Sequence, residues 1–219
     1  MEEFIYKIAI SMPGFLMAIV FHEAAHAYIA YRFGDLTAKA QGRLSLNPAV
    51  HYDLMGTIIF PLIGAMLGGT MFGWAKPVPV DFRRFKNIRR GIFWVSFAGP
   101  LANLILMLFS AILFAILVTK VSPSFSFHKI FSEMLQQSIL INVMLAVFNL
   151  IPFPPLDGSK MVSSLLSYEN SRKFEDLQRY SFIFILILMF TNVLTYILGP
   201  AVDFSNWLVY NLIRIFSGF

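Results

Sequence analysis

The chain has 219 residues, enough for one domain, with 58% hydrophobic residues, 13% charged residues and a net charge of +5. Soluble domains carry roughly 25% charged residues, so this composition excludes an ordinary soluble protein and indicates that a lipid bilayer solvates part of the surface. The sequence contains no cysteine, which excludes disulfides and thiolate ligands and leaves His, Asp and Glu for any metal site.

Six apolar stretches follow one another along the chain. A helix needs roughly 20 apolar residues to cross the hydrocarbon, a length that the first, third and fifth stretches reach and that the fourth and sixth approach. Glycines and Pro61 interrupt the second stretch, which predicts either a bent transmembrane helix or a re-entrant segment. The acidic start, Met-Glu-Glu, argues against a cleaved signal peptide. The stretches cover about residues 4–31, 54–75, 91–119, 135–153, 180–200 and 202–217.

The first stretch contains the motif Phe-His-Glu-Ala-Ala-His at residues 21–26. Four helical residues turn through about 400°, so His22 and His26 share one face and can bind the same Zn²⁺. Glu23 is offset by about 100° and can act as a base toward a water molecule. Ionisable groups within an apolar helix are expensive and usually functional, although a polar patch satisfied by neighbouring helices is the alternative.

Two segments outside the apolar helices predict a small β-sheet at the membrane surface. Gln41–Leu46 can form a short strand, and Trp74–Phe82 contains Lys-Pro-Val-Pro-Val, which predicts an extended edge strand. A basic cluster follows, for which flanking of a membrane span is favoured over nucleic-acid binding. We therefore expect no nucleic-acid partner. The cluster consists of Lys76, Arg83, Arg84, Lys86, Arg89 and Arg90.

These patterns predict an all-α integral membrane protein with five or six transmembrane or re-entrant helices and a small membrane-surface β-sheet. We expect one membrane-embedded domain over residues 1–219. Its catalytic core covers about residues 4–168, and its C-terminal helices cover about residues 180–217.

Two histidines do not complete a catalytic zinc site, which usually takes three protein ligands and keeps one open position. Among His51, His128 and the carboxylates, Asp157 is the best candidate. Three prolines break the helix before it, and Gly158 after it allows close backbone approach. Broken helices at membrane depth usually line a site, although Leu-Asp-Gly taken alone is more typical of a surface turn.

The position of the third ligand depends on membrane topology. If the basic cluster is cytoplasmic, residues 91–119 lead out, residues 135–153 return, and Asp157 lies near the cytoplasmic face. A re-entrant second stretch places His26 toward the same face, whereas a full crossing places it toward the opposite one. A shared metal favours re-entry, in a multi-pass cell-membrane protein whose active site faces the cytoplasm.

The combined motifs resemble the site-2 protease family of intramembrane zinc metalloproteases. His-Glu-Ala-Ala-His precedes Asn149 and Leu156-Asp157-Gly158 by more than a hundred residues, and Gly-Pro-Leu-Ala-Asn at residues 99–103 is similar to the family's Gly-Pro-x-x-Asn element. Residues 42–57 and 73–80 resemble the compact bacterial and archaeal branch, which lacks PDZ and CBS domains.

The resemblance implies a site, a cofactor and a substrate class. One Zn²⁺ per chain would be held by His22, His26 and Asp157, with Glu23 as the general base. The substrates would be transmembrane segments of other proteins, cut in regulated intramembrane proteolysis. Asn103 and Asn149 would position the substrate backbone or stabilise the oxyanion. For these two asparagines, hydrogen bonding between helices is an equal alternative.

Two other functions use similar residues. A membrane metal-ion transporter also needs His and Asp within helices, but it normally has a line of polar groups along a path. An inactive relative could bind membrane partners, but it would have no need of all four of His22, Glu23, His26 and Asp157. The metalloprotease is therefore the favoured function.

Overall fold

The computed structural model describes residues 2–66 and 73–218, except for the side chains of residues 189 and 190. In these ranges the chain forms ten α-helices, a π-helical turn at Leu54–Ile59, and 3₁₀ turns at Phe82–Arg84 and Asp176–Tyr180. The α-helices are α1 Glu2–Arg32, α2 Thr37–Ala40, α3 Pro48–His51, α4 Phe60–Met66, α5 Ile88–Lys120, α6 His128–Leu150, α7 Asp157–Leu165, α8 Tyr168–Glu175, α9 Ser181–Phe190 and α10 Val193–Ser217.

Three of the described helices, α1, α5 and α6, are long and apolar enough to cross a membrane. The C-terminal helices form a pair bent by 74°, which adds a fourth span only if the pair is counted as one. The prediction of five or six transmembrane or re-entrant helices is therefore wrong. Helices α9 and α10 are separated at Thr191 and Asn192, and α10 continues through Pro200. The two helices therefore do not match the apolar stretches predicted at about residues 180–200 and 202–217.

The predicted β-sheet is also wrong, because no strand forms within residues 2–66 and 73–218. Gln41–Leu46 instead forms a turn after α2, in which the Arg43 N–H donates to the Ala38 carbonyl at 2.8 Å. Residues 73–81 have no regular secondary structure. Pro77 and Pro79 lack the N–H groups that a β-ladder needs on that edge.

The two ends of the second apolar stretch meet. The Trp74 N–H donates to the Gly56 carbonyl at 3.0 Å, and the Asp53 carboxylate caps the π-helical turn through the Gly56 N–H at 2.7 Å. The two ends of the stretch therefore lie next to each other, whereas a straight crossing of the hydrocarbon would separate them by about 30 Å. The glycine-rich residues 67–72 of this stretch lie outside the described residues.

Helices α1, α5 and α6 pack against one another and form the bundle that carries the site. Small residues at the contacts, including Ala18, Ala27 and Ala111, are fully buried and let the helices approach closely. Large apolar side chains such as Ile105 and Phe109 point outward and are more than half exposed, as expected for a lipid-facing surface. Helix α10 covers α5 and α6, and α7 packs against α5.

Candidate metal centre

Two buried histidines on α1 form one side of the site. His22 and His26 lie one helical turn apart, with ring centroids separated by 4.6 Å. Helix α5 approaches this pair at Gly99, where a Cβ atom would lie 2.5 Å from His26 Nε2 and 2.6 Å from His22 Nε2. Only glycine therefore lets α5 pack this closely against the imidazoles.

The carboxylate comes from the start of α7. The chain leaves α6 at Leu150, passes through three prolines and turns back, so that Asp157 begins the next helix and is 7% exposed. A Cβ atom at Gly158 would collide with the Leu150 carbonyl, so this glycine allows the return. The packing of Leu156 against Leu188 anchors the turn to α9.

The three side chains converge on one point. The distance from His22 Nε2 to Asp157 Oδ2 is 3.1 Å, that from His26 Nε2 to Asp157 Oδ2 is 3.2 Å, and the two Nε2 atoms lie 3.0 Å apart. Within the described residues these three form the group that could hold a metal ion. The other histidine candidates, His51 and His128, do not belong to it.

Hydrogen bonds on the far side of each ring fix which nitrogen faces this point. His22 Nδ1 donates to Asn103 Oδ1 at 2.7 Å, and His26 Nδ1 donates to the Val95 carbonyl at 2.6 Å. A neutral imidazole with a proton on Nδ1 presents a lone pair on Nε2. Two nitrogen lone pairs and a carboxylate oxygen therefore face one another, and this arrangement calls for a cation among them.

The donor set fits zinc. Bonds from Zn²⁺ to nitrogen and oxygen of about 2.0–2.2 Å in tetrahedral geometry place ligand atoms about 3.3 Å apart. The observed separations of 3.0 to 3.2 Å are close to that value. Two imidazoles and one carboxylate leave a fourth position open, which is the pattern of catalytic rather than structural zinc sites.

Glu23 is held beside the site by the backbone of residues 73–81. The Val78 N–H donates to Glu23 Oε2 at 2.7 Å. The other oxygen, Oε1, accepts no hydrogen bond from the described residues. One carboxylate oxygen is therefore fixed and the other is free to accept a proton.

Residues 73–81 are themselves tied to the protein by side chains. The buried Arg43 guanidinium donates to the Lys76 carbonyl, and the fully buried Asp35 carboxylate accepts from the Asp81 N–H at 2.8 Å. The hydrogen bond from Arg83 lowers the pKa of Asp81 to about 2, so this carboxylate stays charged at neutral pH. The segment that positions Glu23 is thus fixed without strand pairing.

The two asparagines of the sequence prediction lie in different surroundings. Asn103 is fully buried and uses its amide within the helix bundle, where Nδ2 donates to the Ala18 carbonyl and to Asn142 Oδ1, both at 3.0 Å. Asn149 donates to the Leu145 carbonyl on its own helix at 3.0 Å, and it makes no hydrogen bond to the three ligand atoms in the described part of the chain.

Sequence reasoning missed two residues of the site. Asn142 supports Asn103, and its signal was an amide in the middle of an apolar helix, where polar groups are expensive. Gly99 was noticed only as part of a motif, and its close approach to the histidines depends on how α1 and α5 pack. That packing could not be read from the local sequence.

Comparison with known proteins places the chain in a family. The sequence profile of Peptidase family M50 matches residues 116–191, which include Asp157. The chain is 39% identical over 211 residues to YwhC of Bacillus subtilis, a candidate zinc metalloprotease, and the match covers 93% of this chain and 92% of YwhC. No solved structure matches the chain.

Two mycobacterial proteins, both candidate zinc metalloproteases, are also similar. Rip2 of Mycolicibacterium smegmatis is 31% identical over 188 residues, and Rip2 of Mycobacterium tuberculosis is 29% identical over 183 residues. Each match covers 84% of this chain and 67% of the relative. These similarities confirm the resemblance inferred from the motifs: the chain belongs to Peptidase family M50, the site-2 protease family.

Proposed function

We propose that this protein is an intramembrane zinc metalloprotease that hydrolyses peptide bonds in or near transmembrane segments of substrate proteins. The convergence of His22 Nε2, His26 Nε2 and Asp157 Oδ2 carries the proposal. Membership of family M50, the zinc metalloprotease names of the relatives and the three apolar helices support it. A transporter is not favoured, because the polar groups cluster at one point rather than along a path.

The roles of the residues follow from their contacts. His22, His26 and Asp157 would hold one Zn²⁺, which when bound polarises a carbonyl and lowers the pKa of water. Asn103 and the Val95 carbonyl keep both imidazoles in the metal-binding tautomer. Glu23 would take a proton from the attacking water and return it to the leaving nitrogen.

The Val78 N–H would hold the Glu23 carboxylate in place during both proton transfers, because it binds Oε2 and leaves Oε1 free. Burial of the ligand set keeps bulk water away and strengthens these interactions. Hydrolysis therefore depends on a controlled supply of water to Glu23.

We also propose that Asn149 contacts the substrate. No described residue donates to its Oδ1, so this atom can accept an N–H from an unwound substrate backbone. Residues 1–219 would form one protease domain, because α10 packs into the same hydrophobic cluster as α5 and α6.

The active site of this membrane protein would face the cytoplasm. The Lys86 N–H donates to the Phe33 carbonyl at 3.2 Å, which ties the basic cluster to the end of α1 that carries His26. Since basic residues mark cytoplasmic loops, the end of α1 would be cytoplasmic too.

Cysteine labelling tests this sidedness, because the chain has no native cysteine. We expect Tyr52→Cys and Lys86→Cys to react with an impermeant maleimide only from the cytoplasmic side. Ser124→Cys, in the loop between α5 and α6, should react only from the opposite side. Labelling of Tyr52→Cys and Lys86→Cys from different sides would refute the arrangement.

Zinc content and cleavage, measured on the same detergent-solubilised protein, test the proposed function. We expect one zinc per wild-type chain and cleavage of a transmembrane model substrate. Asp157→Ala should weaken zinc binding by about 100-fold or more and abolish cleavage, because it removes one of three ligands. The control Asp203→Ala changes an exposed carboxylate on α10 and should behave as wild type.

Two outcomes would contradict the proposal. Full zinc content in Asp157→Ala would mean that the third ligand lies elsewhere. A wild-type protein that holds zinc but cuts no transmembrane substrate would exclude the protease.

A further inference from the structure

Asn142 on α6 lies two hydrogen bonds away from His22. It is fully buried, as is Asn103, at the place where α1, α5 and α6 meet. Two amides in the interior of apolar membrane helices must satisfy their polar groups on each other or on the backbone. Their hydrogen bonds form a chain that ends at a proposed zinc ligand.

Each bond in this chain has a fixed direction. Asn142 Nδ2 donates to the Ser138 carbonyl at 2.9 Å, which turns Asn142 Oδ1 toward α5. That oxygen accepts from Asn103 Nδ2 at 3.0 Å. Asn103 Oδ1 then accepts from His22 Nδ1 at 2.7 Å, which leaves a lone pair on His22 Nε2.

Asn142 is one of two groups that prevent Asn103 from turning over. Both N–H groups of Asn103 are used, one on the Ala18 carbonyl and one on Asn142 Oδ1. A flipped Asn103 would place its oxygen against these two acceptors and its NH₂ group against His22 Nδ1. His22 would then carry its proton on Nε2, where it would block metal binding.

We propose that Asn142 is a positioning residue of the metal centre, which acts through Asn103 to keep His22 in the tautomer that presents a bare Nε2. This inference rests on the proposed function, because it takes His22 to be a zinc ligand. Asn142 is fully buried and makes no hydrogen bond to the three ligand atoms within the described residues, so its effect should appear first in zinc affinity.

A hydrogen bond elsewhere between α5 and α6 provides a control, which separates the proposed role of Asn142 from a role in holding the two helices together. Ser110 and Ser138 share a hydrogen bond between their hydroxyls at 2.9 Å across α5 and α6. This bond joins the same two helices. The Ser138 hydroxyl also accepts from Asn142 Nδ2 at 3.4 Å, but the Ser110 bond does not include the links from Asn142 Oδ1 through Asn103 to His22. A residue that only holds the helices together should behave like Ser110.

Zinc dissociation constants, measured by chelator competition in detergent, test the proposal. Asn142→Leu keeps the branched shape of the side chain in the apolar bundle and removes its hydrogen bonds to Asn103 and Ser138, and Asn142→Ala serves as a second variant if the first does not fold. We expect zinc binding to weaken about tenfold, at the lower end of effects from residues outside the ligand shell. Ser110→Ala should stay within about twofold of wild type.

A double-mutant cycle shows whether Asn142 acts through Asn103. Asn103→Ala should weaken zinc binding by itself, and adding the Asn142 substitution should then weaken it no further, because the connection is already broken. Additive losses would overturn the proposal, as would an unchanged zinc constant in the Asn142 variants.

The variant His22→Ala, measured in parallel, keeps this inference separate from the proposed function. If His22→Ala loses zinc and the Asn142 variants keep it, only the role of Asn142 is refuted. If His22→Ala itself keeps zinc at wild-type affinity, the proposed metal centre is refuted.

Discussion

Replacement of Glu23 by glutamine is expected to abolish peptide cleavage while zinc stays bound. Glutamine has the size of glutamate and can still accept the Val78 N–H, but its amide oxygen is too weak a base to take a proton from water. General acid–base groups contribute about 10²- to 10⁴-fold, so kcat should fall by at least about 100-fold. Cleavage of a transmembrane substrate and metal content should be measured on one preparation.

A matched control distinguishes the specific role of Glu23 from the general effect of removing one carboxylate charge. Glu169→Gln removes an exposed carboxylate on α8 that pairs with Lys173, and it should leave both readouts unchanged. Cleavage that persists in Glu23→Gln would place the base elsewhere. Loss of zinc in Glu23→Gln would show that Glu23 supports the metal centre rather than the proton transfer.

The pairing of His22 with His26 could be predicted because it is local. Helical geometry alone puts residues four apart on one face, and the structure has their Nε2 atoms 3.0 Å apart. Asp157 lies 131 residues beyond His26. No local rule joins them, and the prediction of Asp157 depended on the small number of candidate ligands, on the three prolines and the glycine that flank it, and on the family resemblance.

The strand expected at Trp74–Phe82 shows where local sequence misleads. Alternating prolines and valines exclude a helix, but they do not say what satisfies the remaining backbone groups. In the structure these partners include the side chains of Glu23, Arg43 and Asp35, and the Lys76 N–H donates to the His51 carbonyl at 2.9 Å. The same residues that suggested an edge strand therefore hold the proposed base.

The predicted boundary between the two C-terminal helices is wrong for a related reason. The sequence predicts separate apolar stretches at about residues 180–200 and 202–217, yet α10 runs through Pro200, and the break falls at Thr191 and Asn192. Neighbouring helices and local adjustments tolerate proline within membrane helices, so proline alone does not locate a helix end there.

Replacement of Gly99 by alanine is expected to remove the metal centre. The added Cβ would lie 2.5 Å from His26 Nε2 and 2.6 Å from His22 Nε2, distances that real Cβ atoms essentially never show. Either α5 must move away or the imidazoles must turn, and both changes separate the ligand atoms. We expect zinc affinity to fall by about 100-fold or more, measured by chelator competition, and cleavage to fall with it.

Helix propensity alone predicts that Gly99→Ala stabilises α5, so a loss of zinc affinity would have to come from the clash with the histidines. Alanine within a helix is more favourable than glycine by about 1 kcal/mol, so Gly99→Ala should strengthen α5 considered alone. Gly199→Ala is the matched control, because it makes the same change inside α10 at a position where a Cβ would meet no atom within 4 Å. Gly199→Ala should keep zinc and activity. If Gly99→Ala also binds zinc with wild-type affinity, the close approach of α5 does not set the geometry of the two histidines.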